Sequence, residues 1–365
     1  MAEQKKKRSA SLLQSFLVNV FLGANIATLV LLWACCGTTW IDPSLHPRVS
    51  VIGLLFPVIL LLNLLFVPFW LVYKPRMLVV PLLGMAVCSS YILDYFPIHM
   101  GDKSSEEADL VVFTWNSHYL TNCPLDSVDF LTDYLLEHEV DVACLQEALS
   151  SAKYDSVFEP LRRHGYHIER NSASSMIIAS RYPILKCETL PMESKSTNTA
   201  TYADILVDED TVSVFNVHLE SNSLSAEEKA EYGEALTDPE RDKVKSEALF
   251  LTGKISAAAH YRGLQIDHLA HRIDSLPEGR RILFCGDFND TPISYVYQHI
   301  GRRLQNAYRR GGNGVGVSFN ETFFPVRIDN IFYSAHWECL DAKVESSITV
   351  SDHYPILARL KCKEK

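Results

Sequence analysis

Three long apolar runs fill the first hundred residues, and short ones take over after them. Ser9 to Ile41, Val49 to Tyr73 and Met77 to Leu93 contain no Asp, Glu, Lys or Arg, and about 20 apolar residues suffice for a helix to cross a bilayer. VIGLLFPVILLLNLLFVPFWLV has no polar face to turn toward water, which argues against core helices of a water-soluble protein. A cleaved signal peptide fits worse, because the first run is too long and two more follow. The pattern predicts a membrane anchor over residues 1–100 with three transmembrane helices at about 12–34, 50–72 and 77–96. The third is short: its 17 uncharged residues rise about 25 Å, so Asp94 is expected at the membrane interface.

Beyond residue 108 the period changes. DLVVFTW (109–115), DVACLQ (141–146), SSMIIAS (174–180), DTVSVFNVHL (210–219), RRILFCG (280–286), RIDNIFYS (327–334) and YPILARLK (354–361) read as strands. Val128, Leu131 and Leu135 share a helical face behind a cap at Asp126, and Leu251, Ile255, Ala258, Ile266, Leu269 and Ile273 keep helical spacing through 240–275. Strands alternating with helices predict one α/β domain over 101–365, not a repeat array.

Charge sharpens the division. Residues 1–100 hold seven of the 34 Lys/Arg and three of the 44 Asp/Glu, which leaves 27 and 41 in residues 101–365, a net of about −14. Lys5, Lys6, Lys7 and Arg8 precede the first run, and Lys74 and Arg76 lie between the second and third, whereas the 42–48 loop has one Asp and one Arg. The positive-inside rule therefore expects a multi-pass membrane protein with a cytoplasmic N-terminus and the catalytic domain extracytoplasmic, at the periplasmic face of the inner membrane in a bacterium. Nine cysteines show no tight spacing that would build a zinc site or a disulfide framework, although Cys123, Cys187, Cys339 and Cys362 could pair in an oxidising compartment.

Polar residues gather where strands end. Asn116 follows the first strand and Glu147 the second; His218 and Glu220 close the 210–219 strand; Asp287 and Asn289 follow 280–286; Asp352 and His353 precede the last. Each alone has a turn residue's explanation, but α/β proteins collect ligand-binding groups at one such edge. Carboxylates and amides without paired Cys or dense His suit a hard cation, Mg²⁺ or Mn²⁺, more than zinc. Phosphoester hydrolysis could use Glu147 and Asp352 as metal oxygens, Asp287 to orient or deprotonate water, and His218 and His353 as donors to phosphate. Asp329 could hold the tautomer of His353.

TWN (114–116), LQE (145–147), NVHLES (216–221), GDFND (286–290), RIDNIF (327–332) and SDHYPI (351–356), in that order, resemble the endonuclease/exonuclease/phosphatase superfamily over about residues 108–361. The resemblance implies a four-layered α/β sandwich, two packed β-sheets flanked by helices, and a Mg²⁺-dependent phosphoric ester hydrolase. It makes Asn116 and Glu147 the metal-side pair, His218 a phosphate contact, Asp287 the water-activating aspartate and Asn289 an orienting group. It also makes Asp352 a metal-side carboxylate and His353 the histidine partnered by Asp329. Asn330 departs from the aromatic residue often found there, which bears on substrate stacking. In SMIIASRYPI (175–184), Arg181 reads as structural.

Three other signals are weaker. GGNGVGVSF (311–319) lacks the Lys of a P-loop and reads as a flexible loop beside the site. SLSAEEKAEYGEALTDPERDK (223–243) reads as a solvated helix hairpin or a cover over the cleft. Arg302, Arg303, Arg309 and Arg310 are the candidates for a basic groove, which a nuclease needs. The acidic domain and its tether favour a membrane lipid or small phosphoester as substrate, with extracytoplasmic nucleic acid the alternative. A non-catalytic binding protein on the same fold is a third reading, and would be expected to lack one of Glu147, His218, Asp287 or His353.

Overall fold

Residues 2–99, 106–121, 129–148, 151–171, 175–196, 198–223, 228, 241–321 and 325–363 are described by the structure, a computed structural model. The expected cap at Asp126, Val128, Cys123 and most of the 223–243 segment lie outside the described residues.

The N-terminal part is helical: α1 (Ala2–Gly37), α2 (Pro47–Gly53), α3 (Phe56–Tyr73), α4 (Val79–Val87) and α5 (Ser89–Tyr95). Two segments, Gln14–Trp40 and Pro47–Tyr73, are long and apolar enough to cross a membrane. The third expected span falls on a bent pair, Pro75–Val87 and Ser89–Tyr95, with 68° between its halves. The break falls at Cys88 (φ −96°, ψ 10°), just before the Ser89–Ser90 pair, a common place for a helix to bend. α1 and α3 run antiparallel, Phe21 meeting Phe69 at 4.4 Å and Thr28 donating to Asn63 Oδ1 at 3.1 Å. Asn63 also donates to Thr28 O, and Trp70 Nε1 donates to Asn25 Oδ1 at 3.0 Å. Such interhelical bonds matter between helices in lipid, where apolar contact alone gives little preference for a partner.

The rest is a sandwich. In chain order its elements are β1 (Leu110–Asn116), α6 (Asp129–Glu137), β2 (Val142–Gln146), α7 (Ser151–Arg163), β3 (His167–Asn171), β4 (Met176–Ser180), β5 (Ile184–Leu190), β6 (Ala200–Val207) and β7 (Asp210–His218). There follow α8 (Arg241–Asp274), β8 (Arg281–Asp287), α9 (Tyr295–Gly301), β9 (Gln305–Asn306), α10 (Ala307–Gly311), β10 (Asp329–Tyr333), β11 (Trp337–Val344) and β12 (Ile356–Cys362). One sheet has the order β11-β12-β1-β2-β4-β3 and the other β5-β6-β7-β8-β10-β9. β1/β2 and β7/β8 are parallel pairs, and the other neighbours are antiparallel.

Alternation along the strands builds the layers. In β1, Leu110 and Val112 join Val214, Leu283 and Cys285 between the sheets, while Phe113 and Trp115 face Leu131, Leu135 and Phe158 of α6 and α7. On the far side Phe215 and Phe284 pack with Ile266 and Leu269 of α8 and Ile300 of α9. Apolar residues on both faces explain why these strands read as unbroken hydrophobic runs. The resulting order, helices, sheet, sheet, helices, is the expected four-layered α/β sandwich.

The N-terminal helices pack against this domain. Ile293 joins Leu29, Leu32, Phe56 and Met85 in one apolar cluster. At Gly53 a Cβ would lie 2.5 Å from the carbonyl oxygen of Ile293, so only glycine permits that approach. Asp94, expected at a membrane interface, is buried within the protein, with Gln298 donating to Oδ2 at 2.8 Å and Arg309 paired to Oδ1. Arg302 lies over the Trp40 ring at 4.1 Å, and Arg303 binds both oxygens of Asp274 at 2.8 Å. Three of the four arginines considered for a basic groove therefore have structural partners. Cys187, Cys339 and Cys362 are free thiols.

Candidate active site

The two parallel pairs end at one edge of the sandwich. Asn116 is level with Gln146 across β1/β2, and His218 with Asp287 across β7/β8. β10 runs antiparallel to β8 and begins with Asp329 opposite Asp287. β12 runs antiparallel to β1, so the Asp352–His353 loop before it reaches the same edge. Gly286 makes the β7/β8 junction possible: its φ is +138°, and a Cβ would sit 1.9 Å from Val217 O. A Gly286→Ala change combines backbone strain with overpacking and should cost about 3 kcal/mol or more. Urea unfolding of the purified protein measures it, and a loss below about 1 kcal/mol contradicts the packing argument.

Beneath the edge, two polar side chains bridge the sheets. Gln146 Nε2 donates to Asn216 Oδ1 at 2.7 Å, and Asn216 Nδ2 donates to Leu145 O and Ile177 O at 3.0 and 2.9 Å. Both residues are completely buried. They set the spacing between the halves of the site, and sequence reasoning gave them no role. The available signal was a polar residue set against a buried apolar run, Gln146 after VACL in β2 and Asn216 within VFNV in β7.

Asp287 is the centre of the cluster. Its Oδ2 accepts from Asn116 Nδ2 at 3.1 Å and lies 3.7 Å from His218 Nε2 and 3.8 Å from His353 Nε2. Asn116 Nδ2 also donates to Glu147 Oε1 at 3.2 Å, which is 3.8 Å from His218 Nε2. Asp329 Oδ2 engages His353 Nδ1 at 2.8 Å, and its Oδ1 is buried without a hydrogen bond. Ligand atoms of Asp287, Asp329 and His353 come within 4.8 Å of one another, a grouping that could hold a cation.

Electrostatics follow from burial. Desolvation raises the Asp287 pKa, the Asp329 carboxylate raises it further, and His353 and His218 oppose the rise. Burial disfavours the His353 cation, but the Asp329 and Asp287 carboxylates outweigh it and the pKa is pushed up to about 10. The imidazolium is held between two acids.

The remaining residues lie close by with different contacts. Asn289 adopts φ +51°; its N–H donates to Asp287 Oδ1 at 2.8 Å and its Nδ2 to Leu219 O at 2.9 Å, so it ties the β8 turn to the end of β7. Asp352 stands at the rim, a third exposed, with Oδ1 3.5 Å from His118 Nδ1. Asn116 Oδ1 accepts from the His118 N–H at 3.1 Å. Arg262 was also unassigned. Buried on α8, it binds Glu220 O at 2.9 Å and Asn222 Oδ1 at 3.0 Å and lies 3.3 Å from Asp290, clamping two site loops. Arg181 lies 3.7 Å from Asp141, a structural pairing away from the cluster.

Two packed sheets thus bring acids and imidazoles together at a shared edge. The chain belongs to the Endonuclease/Exonuclease/phosphatase family, whose model matches residues 113–353. A second model, a domain of unknown function, matches residues 18–95, the helical part. Similar solved structures include a D. rerio TDP2 humanized by 14 mutations, 18% identical over 69% of this chain and 98% of that one, TM-score 0.48. The human Nocturnin catalytic domain with bound sulfate is 16% identical over 70% and 94%, TM-score 0.49. A Bacteroides vulgatus endonuclease/exonuclease/phosphatase is 18% identical over 70% and 99%, TM-score 0.48. No curated protein matches the chain.

Proposed function

We propose that this protein is a membrane-anchored, divalent-metal-dependent phosphoester hydrolase acting on a lipid head group or small phosphoester by in-line attack of water. The convergence of Glu147, His218, Asp287, Asp329 and His353 on one edge carries the reading. Asp287 accepts the proton of the attacking water, and burial makes it a stronger base than an exposed aspartate. His218 and His353 donate to phosphoryl oxygens, with Asp329 fixing His353 Nδ1 so that Nε2 faces the substrate. Glu147 and Asp352 would hold Mg²⁺ or Mn²⁺, with Asn116 orienting Glu147 through its amide. These oxygens suit a hard cation, which when bound would neutralise phosphoryl charge.

In this reading the chain crosses the membrane three times and the catalytic domain lies outside. What supports this is the run of the helices: Trp33 Nε1 donates to Gly84 O at 2.9 Å and Trp40 Nε1 to Tyr91 OH at 2.9 Å, so α4 and α5 travel alongside α1 in the same direction. Thr39, Trp40 and Asp94 then all meet the catalytic domain at one end. Lys74 and Arg76 fall at the other. A periplasmic-type reporter fused after Leu110 should be active; a signal from a cytoplasmic reporter there refutes the orientation.

For substrate, nucleic acid loses support because Arg302, Arg303 and Arg309 are committed to Trp40, Asp274 and Asp94. The test is hydrolysis by the full chain in nanodiscs with Mg²⁺, offering phospholipids, sphingomyelin-like lipids, inositol phosphates, plasmid DNA and RNA. Lipid or small-phosphoester cleavage abolished by chelation is expected. Cleavage of nucleic acid alone overturns the substrate choice, and activity that survives chelation overturns the metal.

A further inference from the structure

The glycine-rich segment 311–319, expected to be a flexible loop, is bonded at both ends, together with Asn320 after it. At one end it holds the exit of the anchor: the His99 N–H donates to Asn313 Oδ1 at 2.6 Å, His99 Nδ1 lies 2.6 Å from Gly312 O, and the Gly314 N–H donates to Pro97 O at 2.9 Å. At the other end it holds the site. Ser318 Oγ accepts the N–H groups of Ile328 and Asp329, both at 3.0 Å. Ser318 O accepts from the Tyr354 N–H at 2.6 Å, and the Asn320 N–H donates to Asp352 O at 2.8 Å. The Phe319 ring lies 4.9 Å from the His353 ring.

A second link runs beside it. Arg327 is buried, its Nη2 donating to Asp94 O, its Nη1 to Val315 O at 3.2 Å, and its guanidinium stacked 4.4 Å over Tyr308. Two residues further on is Asp329, which holds His353. Asp94 is itself pinned by Gln298 and Arg309. Both links start in residues 94–99 and end on the Asp329–His353 pair. A chain that only tethered the domain would need neither.

We infer that Arg327 and Asn313 are positioning residues through which the anchor's exit, Asp94 to His99, fixes Asp329 and His353. The catalytic domain is set by its anchor, and the anchor is part of the working site. This rests on the hydrolase reading for its kinetic consequence only.

The experiment uses the full chain in nanodiscs, with bis(p-nitrophenyl) phosphate and Mg²⁺ for kinetics, and hydrogen–deuterium exchange over 326–332 and 351–355. Arg327→Met should lower kcat by about 10- to 100-fold, the range for partners that orient a reacting group, with KM changed less than about twofold. Exchange should accelerate in both segments, and Arg327→Lys should recover part of each effect. Asn313→Ala, a milder change, should give the same pattern at about three- to tenfold in kcat. Arg303→Ala, which breaks the pair with Asp274, should leave both readouts unchanged. Unaltered exchange with kcat within about twofold in folded Arg327→Met overturns the inference, as does a lower melting temperature with unchanged kcat. If Arg327→Met does not fold, Asn313→Ala and His99→Ala decide on the same criteria. If the wild type hydrolyses no phosphoester, the hydrolase reading fails and exchange alone decides the coupling.

Discussion

Asp287→Asn should lose about 10³- to 10⁴-fold in kcat, the upper part of the range for a positioned proton acceptor, while its melting temperature stays equal to or above that of the wild type. The two halves of this expectation have one cause. Asp287 is buried, opposite Asp329 in the register, and close to two imidazoles. Burial and the neighbouring acid raise its pKa, so its charged form is held at a cost to the fold. Asparagine keeps the shape and removes that cost, but it cannot take a proton from water. A site that stores such strain exchanges stability for activity. Steady-state kinetics and thermal melts on the same preparation check both halves. A kcat loss under about tenfold removes Asp287 from the role of base; a large drop in melting temperature shows that the charge stabilises the fold.

Most of the site could be read from the chain because its residues lie at strand ends, where an apolar run stops abruptly in a polar cluster. Asn116, Glu147, His218 and Asp287 all close strands of the parallel pairs, and the sheets bring them together. α8 was equally legible: a helix expected over 240–275 spans Arg241–Asp274. Strands at or near the sheet edges were not. β5, ILKCETL, exposes Leu185 and Lys186, so no apolar period survives. In β6, Asp204 breaks the pattern, and Tyr202 and Ser213, which donate to its Oδ1 at 2.6 and 2.7 Å, together with Arg280 at 3.8 Å make it tolerable there. β11 carries a register shift between Cys339 and Asp341, which resets the alternation. α7 contains Pro160, ordinarily a helix breaker.

Long-range pairing hid the rest. Arg309 looks like loop charge because its acid, Asp94, is 215 residues away in the chain. The same is true of the glycine-rich loop, whose partners at 97–99 and 352–354 cannot be inferred from its own composition. Asp352 is a different case: sequence places it in the site, and the structure sets its side chain at the rim beside His118.

Asp329→Asn should lower kcat by about 100-fold or more and flatten the fall in stability at alkaline pH. In the wild type, burial opposes the His353 cation, but the Asp329 and Asp287 carboxylates prevail and lift its pKa from 6.5 to about 10. A folded-state value above the unfolded one means that the folded protein binds the extra proton. The stabilisation is fully present below about pH 6.5 and is lost as pH rises through about 10. The raised pKa of Asp287 has the same sign, since it too makes the folded state the better proton binder. Wild-type melting temperature should therefore decline between pH 7 and 10. Asparagine at 329 removes the largest influence raising the His353 pKa, so the decline becomes shallower and the alkaline limb of the kcat/KM profile moves to lower pH. The kinetic loss comes from tautomer as well as charge: a carboxylate at 329 can only accept from Nδ1, whereas a neutral amide can donate to it or accept from it, so the protonation that turns a charged Nε2 toward Asp287 and the substrate is no longer fixed. An Asp329→Asn protein with the wild-type alkaline limb would mean that His353 gains its proton affinity elsewhere, and that the Asp329 contact serves packing alone.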